Sequence, residues 1–248
     1  PMARPIRLQL AGAHYLVTTR AASPDSLFTD EQDRQRFVSL IGRACQRYRW
    51  RCHAWCLGTD YYQLVIATER PNLAAGMRHL NSVHSQSSNR RRRVCGPMFE
   101  GRYASQFVDP QRGLLAAVTD VLRGPLERGL VTDLADWAWS SYAASVAPDS
   151  APPWLAIDEV LKVFADDPAI AANALAAALR TVPPRGSDDG GLRIYADAEF
   201  IARLVASAQP DEEDDFAVLS RLRPPLREIC EASADRRGHP GVAPLHRR

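Results

Sequence analysis

The first residues with a chemistry to offer are arginines. Between residues 70 and 112 the chain carries Arg70, Arg78, Arg90, Arg91, Arg92, Arg93, Arg102 and Arg112 against two acids, Glu100 and Asp109. Each guanidinium is a planar fork that binds phosphate bidentately, so such a surplus is the electrostatic footprint of an anionic partner. The run Arg90, Arg91, Arg92 and Arg93 would also suit a solvated helix end, where cations complement the carbonyl dipole. On these residues alone the solvated helix end is slightly the better reading, and Arg78, Arg102 and Arg112, close in sequence, keep phosphate contact open. The rings of Tyr61, Tyr62 and Tyr103 could stack on unpaired bases, which contributes about 1–3 kcal/mol per base. Core packing is the equal alternative for Tyr62. Cys52, His53 and Cys56 bring zinc to mind. On a strand, however, the three-residue gap sets the two cysteines on one face about 13 Å apart, and no second pair exists, so buried structural thiols are expected. His79 and His84, five apart, are poorly placed to share a metal on a helix and are expected at the polar surface. Trp137 and Trp139 alternate as packing residues do.

Composition narrows the class. The 248 residues are 46% hydrophobic and 24% charged, close to a soluble globular average. Lys162 is the only lysine among 31 basic residues, so arginine usage in itself reflects a GC-rich coding bias. The net charge of +2 conceals two unlike halves, +6 over residues 1–150 and −4 over 151–248. No apolar run approaches the roughly 20 residues of a membrane span, and residues 1–10 lack the apolar stretch of a secretory signal. Five cysteines without a dense framework suit reduced thiols. The expectation is a cytoplasmic protein that does not engage membranes.

These residues need elements to hold them. Residues 14–19, rich in β-branched and aromatic types, predict a strand ended by the turn residues Ser23, Pro24 and Asp25. Asp30 can cap a helix in which Phe37, Leu40, Ile41 and Ala44 recur at helical spacing up to Trp50. Residues 52–57 and 62–68 read as a hairpin across Gly58, Thr59 and Asp60. Pro71 and Asn72 open a second helix toward Arg91, a last strand is expected at 103–108, and a third helix after Pro110 should stop before Gly124 and Pro125. Strand, helix, strand, strand, helix, strand is the split βαβ order, which predicts an α+β, ferredoxin-like antiparallel sheet with helices on one face. The expected organisation is a nucleic-acid-binding domain over 1–146, a Pro/Ser/Asp-rich linker at 147–153, and a small helical C-terminal region over 154–248. That region is expected to hold helices near 158–165, 168–180, 197–208 and 214–234 and a frayed tail. The acidic run at 211–215 is most simply a solvated helix start.

Three segments carry a family resemblance. They are Trp50-Arg51-Cys52-His53-Ala54-Trp55-Cys56-Leu57; Asn89-Arg90-Arg91 followed by Gly96-Pro97-Met98-Phe99-Glu100-Gly101-Arg102-Tyr103; and Gly129-Leu130-Val131 followed by Asp136-Trp137-Ala138-Trp139-Ser140-Ser141-Tyr142. In order and spacing they resemble the REP-associated tyrosine transposases of the HUH superfamily, which cut and rejoin single-stranded DNA hairpins. The resemblance covers about residues 3–145. Family members often continue into a helical region with a helix-turn-helix, which residues 223–235 approach.

The resemblance implies two histidines, one residue apart on a central strand, sharing a divalent cation, and a nucleophilic tyrosine on the third helix. The matching positions here are Tyr61, Gln63 and Asp120, and Gly124 stands where an asparagine precedes Pro125. Tyrosine and glutamine offer no imidazole nitrogen, and a carboxylate cannot form the tyrosyl–DNA adduct. The expectation is therefore a catalytically inactive, domesticated transposase-like protein with no metal and no cofactor. It would recognise hairpin or single-stranded DNA through Arg78, Arg90, Arg91, Arg92, Arg93, Arg102, Tyr103 and Arg112, with regulation as one use. Two alternatives stand beside it. One is a residual nuclease or strand transferase using Tyr61 or Tyr103, with magnesium or manganese held by Asp60, Gln63 and Asp120. The other is a protein-interaction or ligand-sensing module in which the acidic region 154–248 binds a partner or covers the basic face.

Overall fold

The computed structural model describes residues 9–23, 27–181 and 195–207; the helix expected near 214–234 and the tail lie outside them. Four strands form one antiparallel sheet: β1 (His14–Arg20), β2 (Trp50–Leu57), β3 (Tyr61–Thr68) and β4 (Ala104–Val108), in the order β2-β3-β1-β4. That is the ferredoxin-like arrangement which the element order predicted. The two inner strands, β1 and β3, hold the apolar runs. Val17 pairs with Leu64 and Leu16 with Val65, and Val17, Leu64, Val65 and Ile66 are fully buried.

Helix α1 (Glu31–Tyr48) starts as its sequence requires. Asp30 is extended, and its side chain accepts the Asp33 amide hydrogen at 2.7 Å. It stops at Arg49, which takes the left-handed conformation (φ 53°) and turns the chain directly into β2. Helix α2 (Leu73–Arg92) begins after Asn72, whose amide is spent on the core: its oxygen accepts from the Trp50 indole at 2.9 Å and its nitrogen donates to the Tyr48 carbonyl at 3.0 Å. α1 and α2 share one face of the sheet, where Phe37 packs 4.8 Å from the Tyr62 ring and Asn81 takes the Tyr62 hydroxyl. His84 belongs to this layer and not to the surface. It is 3% exposed, its Nε2 lies 2.9 Å from the Leu27 carbonyl, and its ring meets Phe28 and Phe37. Its place seven residues after Met77 and four after Leu80, on the apolar stripe, was the available signal.

Helix α3 (Leu114–Glu127) covers the opposite face and runs on past the expected stop, through Gly124 and Pro125. Proline this close to a helix end removes one bond to the preceding turn without halting the backbone. The true stop is Gly129 (φ 66°), where the Leu130 amide closes on the Pro125 carbonyl at 2.9 Å.

The outer edge of β2 does not face water. Residues 137–141 lie along its C-terminal half, with Leu57 N to Trp139 O at 2.8 Å and Ser141 N to Trp55 O at 2.9 Å. Ala156 N bonds the Cys52 carbonyl at 2.7 Å near its start. An edge strand left open is a template for aggregation, and these two segments close it. Trp137 and Trp139 pack on the core as expected, and Trp137 also donates its indole hydrogen to the Leu57 carbonyl at 3.1 Å. A short helix α4 (Tyr142–Val146) and a 3-10 turn at Pro148–Ser150 lead through 151–156 into α5 (Asp158–Leu161), α6 (Pro168–Thr181) and, after the gap, α7 (Ala198–Ser207). The described residues all fall within one compact unit. Arg123 of α3, 1% exposed, joins it to α6 by donating to the Leu179 carbonyl, with Glu127 Oε1 3.6 Å from its Nε.

Candidate nucleic-acid interface and the closed sheet face

Alternation along β3 turns Tyr61 and Gln63 toward α3, and Asp120, Gly124 and Arg128 follow at four-residue steps along one side of that helix. The positions singled out by the resemblance therefore share one face, and Tyr61, Asp120 and the Gln63 amide nitrogen each have a partner there. Tyr61 is 2% exposed, and the Arg128 guanidinium lies 4.0 Å from its ring centroid, donating to the phenol oxygen at 3.2 Å. Burial pushes the Tyr61 phenol up, so it stays protonated at neutral pH. Gly124 allows the approach: a Cβ there would sit 3.0 Å from the Tyr61 hydroxyl. Gln63 donates its amide to Thr18 Oγ1 at 3.2 Å.

Asp120 is 8% exposed and accepts the hydroxyl hydrogen of Tyr195. Tyr195 is anchored in turn through its carbonyl, which accepts the Asp109 amide at 2.8 Å. A Cβ at Gly113 would fall 1.9 Å from that carbonyl, so this approach requires glycine. Arg128 and Tyr195 were not foreseen. Arg128 lies sixty-seven residues from Tyr61 and Tyr195 seventy-five from Asp120, with no local pattern linking either pair.

The arginines divide into two groups. Arg91 is committed to the fold: its two terminal nitrogens lie 2.6 Å from Asp30 Oδ2 and 2.6 Å from Asp33 Oδ2. The pairing with Arg91 holds the Asp30 carboxyl below its ordinary range. Burial alone would raise Asp33, but hydrogen bonds from Thr29 and Arg91 outweigh it and hold it low as well. Arg92 is half-buried. Arg90 and Arg93 at the end of α2, Arg78 on its outer side, Arg102 before β4 and Arg112 before α3 are exposed. Arg112 has only a loose ion pair, 3.8 Å to Asp197, with both side chains more than half exposed. Tyr103, Tyr61 and Tyr62 are 6%, 2% and 0% exposed, which leaves none of the three rings an open face for a base.

The cysteines behave as structural thiols, although the geometry expected for them is corrected. A β-bulge between Cys52 and Ala54 shifts the register, so Cys52 pairs with Ile66 and Cys56 with Gln63, on opposite faces of the sheet. Both are buried and free, and burial pushes the Cys56 thiol up to about 12.

No family model matches the chain, and no curated protein matches it. No helix among the described residues is long and apolar enough to cross a membrane. Among solved structures the chain is similar to a REP-associated tyrosine transposase bound to a REP hairpin, with a TM-score of 0.52 at 14% sequence identity, over 61% of this chain and 89% of that one. At that identity the likeness is one of fold, and it is with this transposase, a hairpin-bound protein, that the chain shares its fold.

Proposed function

We propose that this protein binds hairpin or single-stranded DNA through backbone phosphates and does not cut it. The observation that carries the reading is the contrast between exposed Arg90, Arg93 and Arg102 and a closed face on which Tyr61 is held by Arg128, Asp120 by Tyr195 and the Gln63 amide nitrogen by Thr18. Exposed guanidinium groups neutralise phosphate without reading base edges, so affinity rests on charge and on the shape of the folded strand. The fold shared with a hairpin-bound transposase supports the choice of a hairpin as ligand. Arg78 and Arg112 are exposed as well, whereas Arg91 belongs to the α1–α2 junction and Tyr103 to the core. Residual strand cleavage is less well supported. Tyr61 and Tyr103 are buried, and Asp120, the proposed metal carboxylate, holds the Tyr195 hydroxyl. A regulatory role follows if binding alone occludes the hairpin.

The test is a fluorescence-anisotropy titration of a labelled single-stranded hairpin and a matched duplex, repeated with magnesium or manganese and followed by denaturing electrophoresis. The expected result is salt-sensitive preference for the hairpin with neither cleavage nor a covalent adduct. Absence of binding to either DNA would overturn the binding reading. A tyrosyl adduct would overturn the inactivity.

A further inference from the structure

His14 and His53 lie on β1 and β2, either side of β3, and their rings stack across it with centroids 5.2 Å apart and planes inclined by 12°. The residue opposite His14 on β3 is Ala67, small enough to leave room above it. His53 falls in the bulge of β2, where the register with β3 skips a residue. Glu159 of α5 completes the group, with Oε2 3.8 Å from His53 Nε2 and 4.0 Å from His14 Nε2. Its other oxygen accepts from Arg51.

The hydrogen bonding of the pair is incomplete in a specific way. His53 Nδ1 lies 3.0 Å from the Ala156 carbonyl and, as the donor there, leaves Nε2 with a lone pair. That Nε2 and His14 Nε2 are buried without a hydrogen-bond partner. Buried polar atoms are seldom left so. The gaps to Glu159 are too long for hydrogen bonds, and the three ligand atoms, all within 4.8 Å of one another, need to draw in to the separation of about 3.3 Å that ligands at zinc bond lengths adopt in a tetrahedron. We propose that His14 Nε2, His53 Nε2 and Glu159 Oε2 form a binding site for a single divalent transition metal of the zinc class, pinning α5 to the sheet. The Ala156 carbonyl supplies the outer hydrogen bond that orients a ligating imidazole. Burial holds both imidazoles down to about 4, so both are neutral, as ligands must be, at neutral pH. Ala67 stands four residues along β3 from Gln63, about 13 Å by strand rise, so this site is separate from the one the resemblance implied.

The full chain, stripped with a chelator, is titrated with zinc against a chromogenic competitor and with cobalt(II) read by its visible d–d absorption. The expected result is one equivalent bound, a cobalt spectrum without a thiolate charge-transfer band, and a higher thermal midpoint with zinc. Glu159→Gln and His14→Gln should each weaken binding by roughly tenfold or more. Arg51→Gln, which frees Glu159 from a competing cation, should leave it as tight or tighter. The proposal is overturned by absence of stoichiometric binding to the wild type, as when a water fills the gap. It is equally overturned by a thiolate band, or by affinity unchanged in both Glu159→Gln and His14→Gln.

Discussion

The end of α2 and the α3 face of the sheet began, in the sequence, as two sets of candidate residues, and the structure treats them in opposite ways. At the end of α2 Arg90 and Arg93 stay in water, while Arg91 is drawn inward to Asp30 and Asp33 and Arg92 is half-buried. Around Asp120 on the α3 face the candidate side chains are drawn inward, Tyr61 to Arg128, the Gln63 amide nitrogen to Thr18 and Asp120 to Tyr195. The difference follows from burial. An exposed guanidinium needs no partner, so a basic surface can persist while a site changes, whereas a buried phenol, amide or carboxylate must find a hydrogen bond or destabilise the fold. The α3 face therefore contributes stability and the α2 end charge.

The largest effect should come from the joint behind the closed face. Arg123→Met removes the buried donor to the Leu179 carbonyl and leaves Glu127 without its cation, and it should cost about 3 kcal/mol in urea unfolding while hairpin affinity survives in the folded fraction. Acid comes next. His14 and His53 titrate near 4 in the folded, metal-free chain against 6.5 when unfolded, lowered first by burial, with Arg51 adding to the shift and Glu159 opposing that of His14. Below 6.5 the unfolded state therefore binds more protons. The contribution is complete above that pH and is lost as pH falls toward 4, at about 2–3 kcal/mol per histidine between pH 7 and 4.5, less for the pair since each opposes the other's charge. Urea midpoints across that range, compared with His14→Gln, measure it. Tyr61→Phe removes one hydrogen bond from Arg128 and should cost about 1 kcal/mol, with no change in hairpin affinity. Arg91→Ala should lower the thermal midpoint and also leave hairpin affinity unchanged, which separates the structural arginine from its exposed neighbours.

What the sequence disclosed follows the range of the forces involved. β1 and the β2–β3 hairpin were legible because strand type is written in period-two runs, and Asp30 because capping is local. The arginine run was legible as charge. The fate of Arg91 was not, because Asp30 lies sixty-one residues away and only the packing of α1 on α2 brings them together. The same holds for Glu159 beside His53, and for residues 137–141, which have no strand pattern yet close the edge of β2. Pro125 misled because its penalty depends on where in a helix it falls, and the Cys52–Cys56 spacing because a bulge reverses strand parity.

The most direct test compares hairpin binding by the wild type and by Arg90→Ala/Arg93→Ala/Arg102→Ala at two salt concentrations, with circular dichroism confirming that both are folded. The account predicts wild-type binding that weakens steeply with salt. In the triple variant it predicts a lower affinity and a log–log salt slope shallower by about one for each phosphate no longer neutralised. A triple variant that binds as tightly as the wild type, with the same slope, would contradict it.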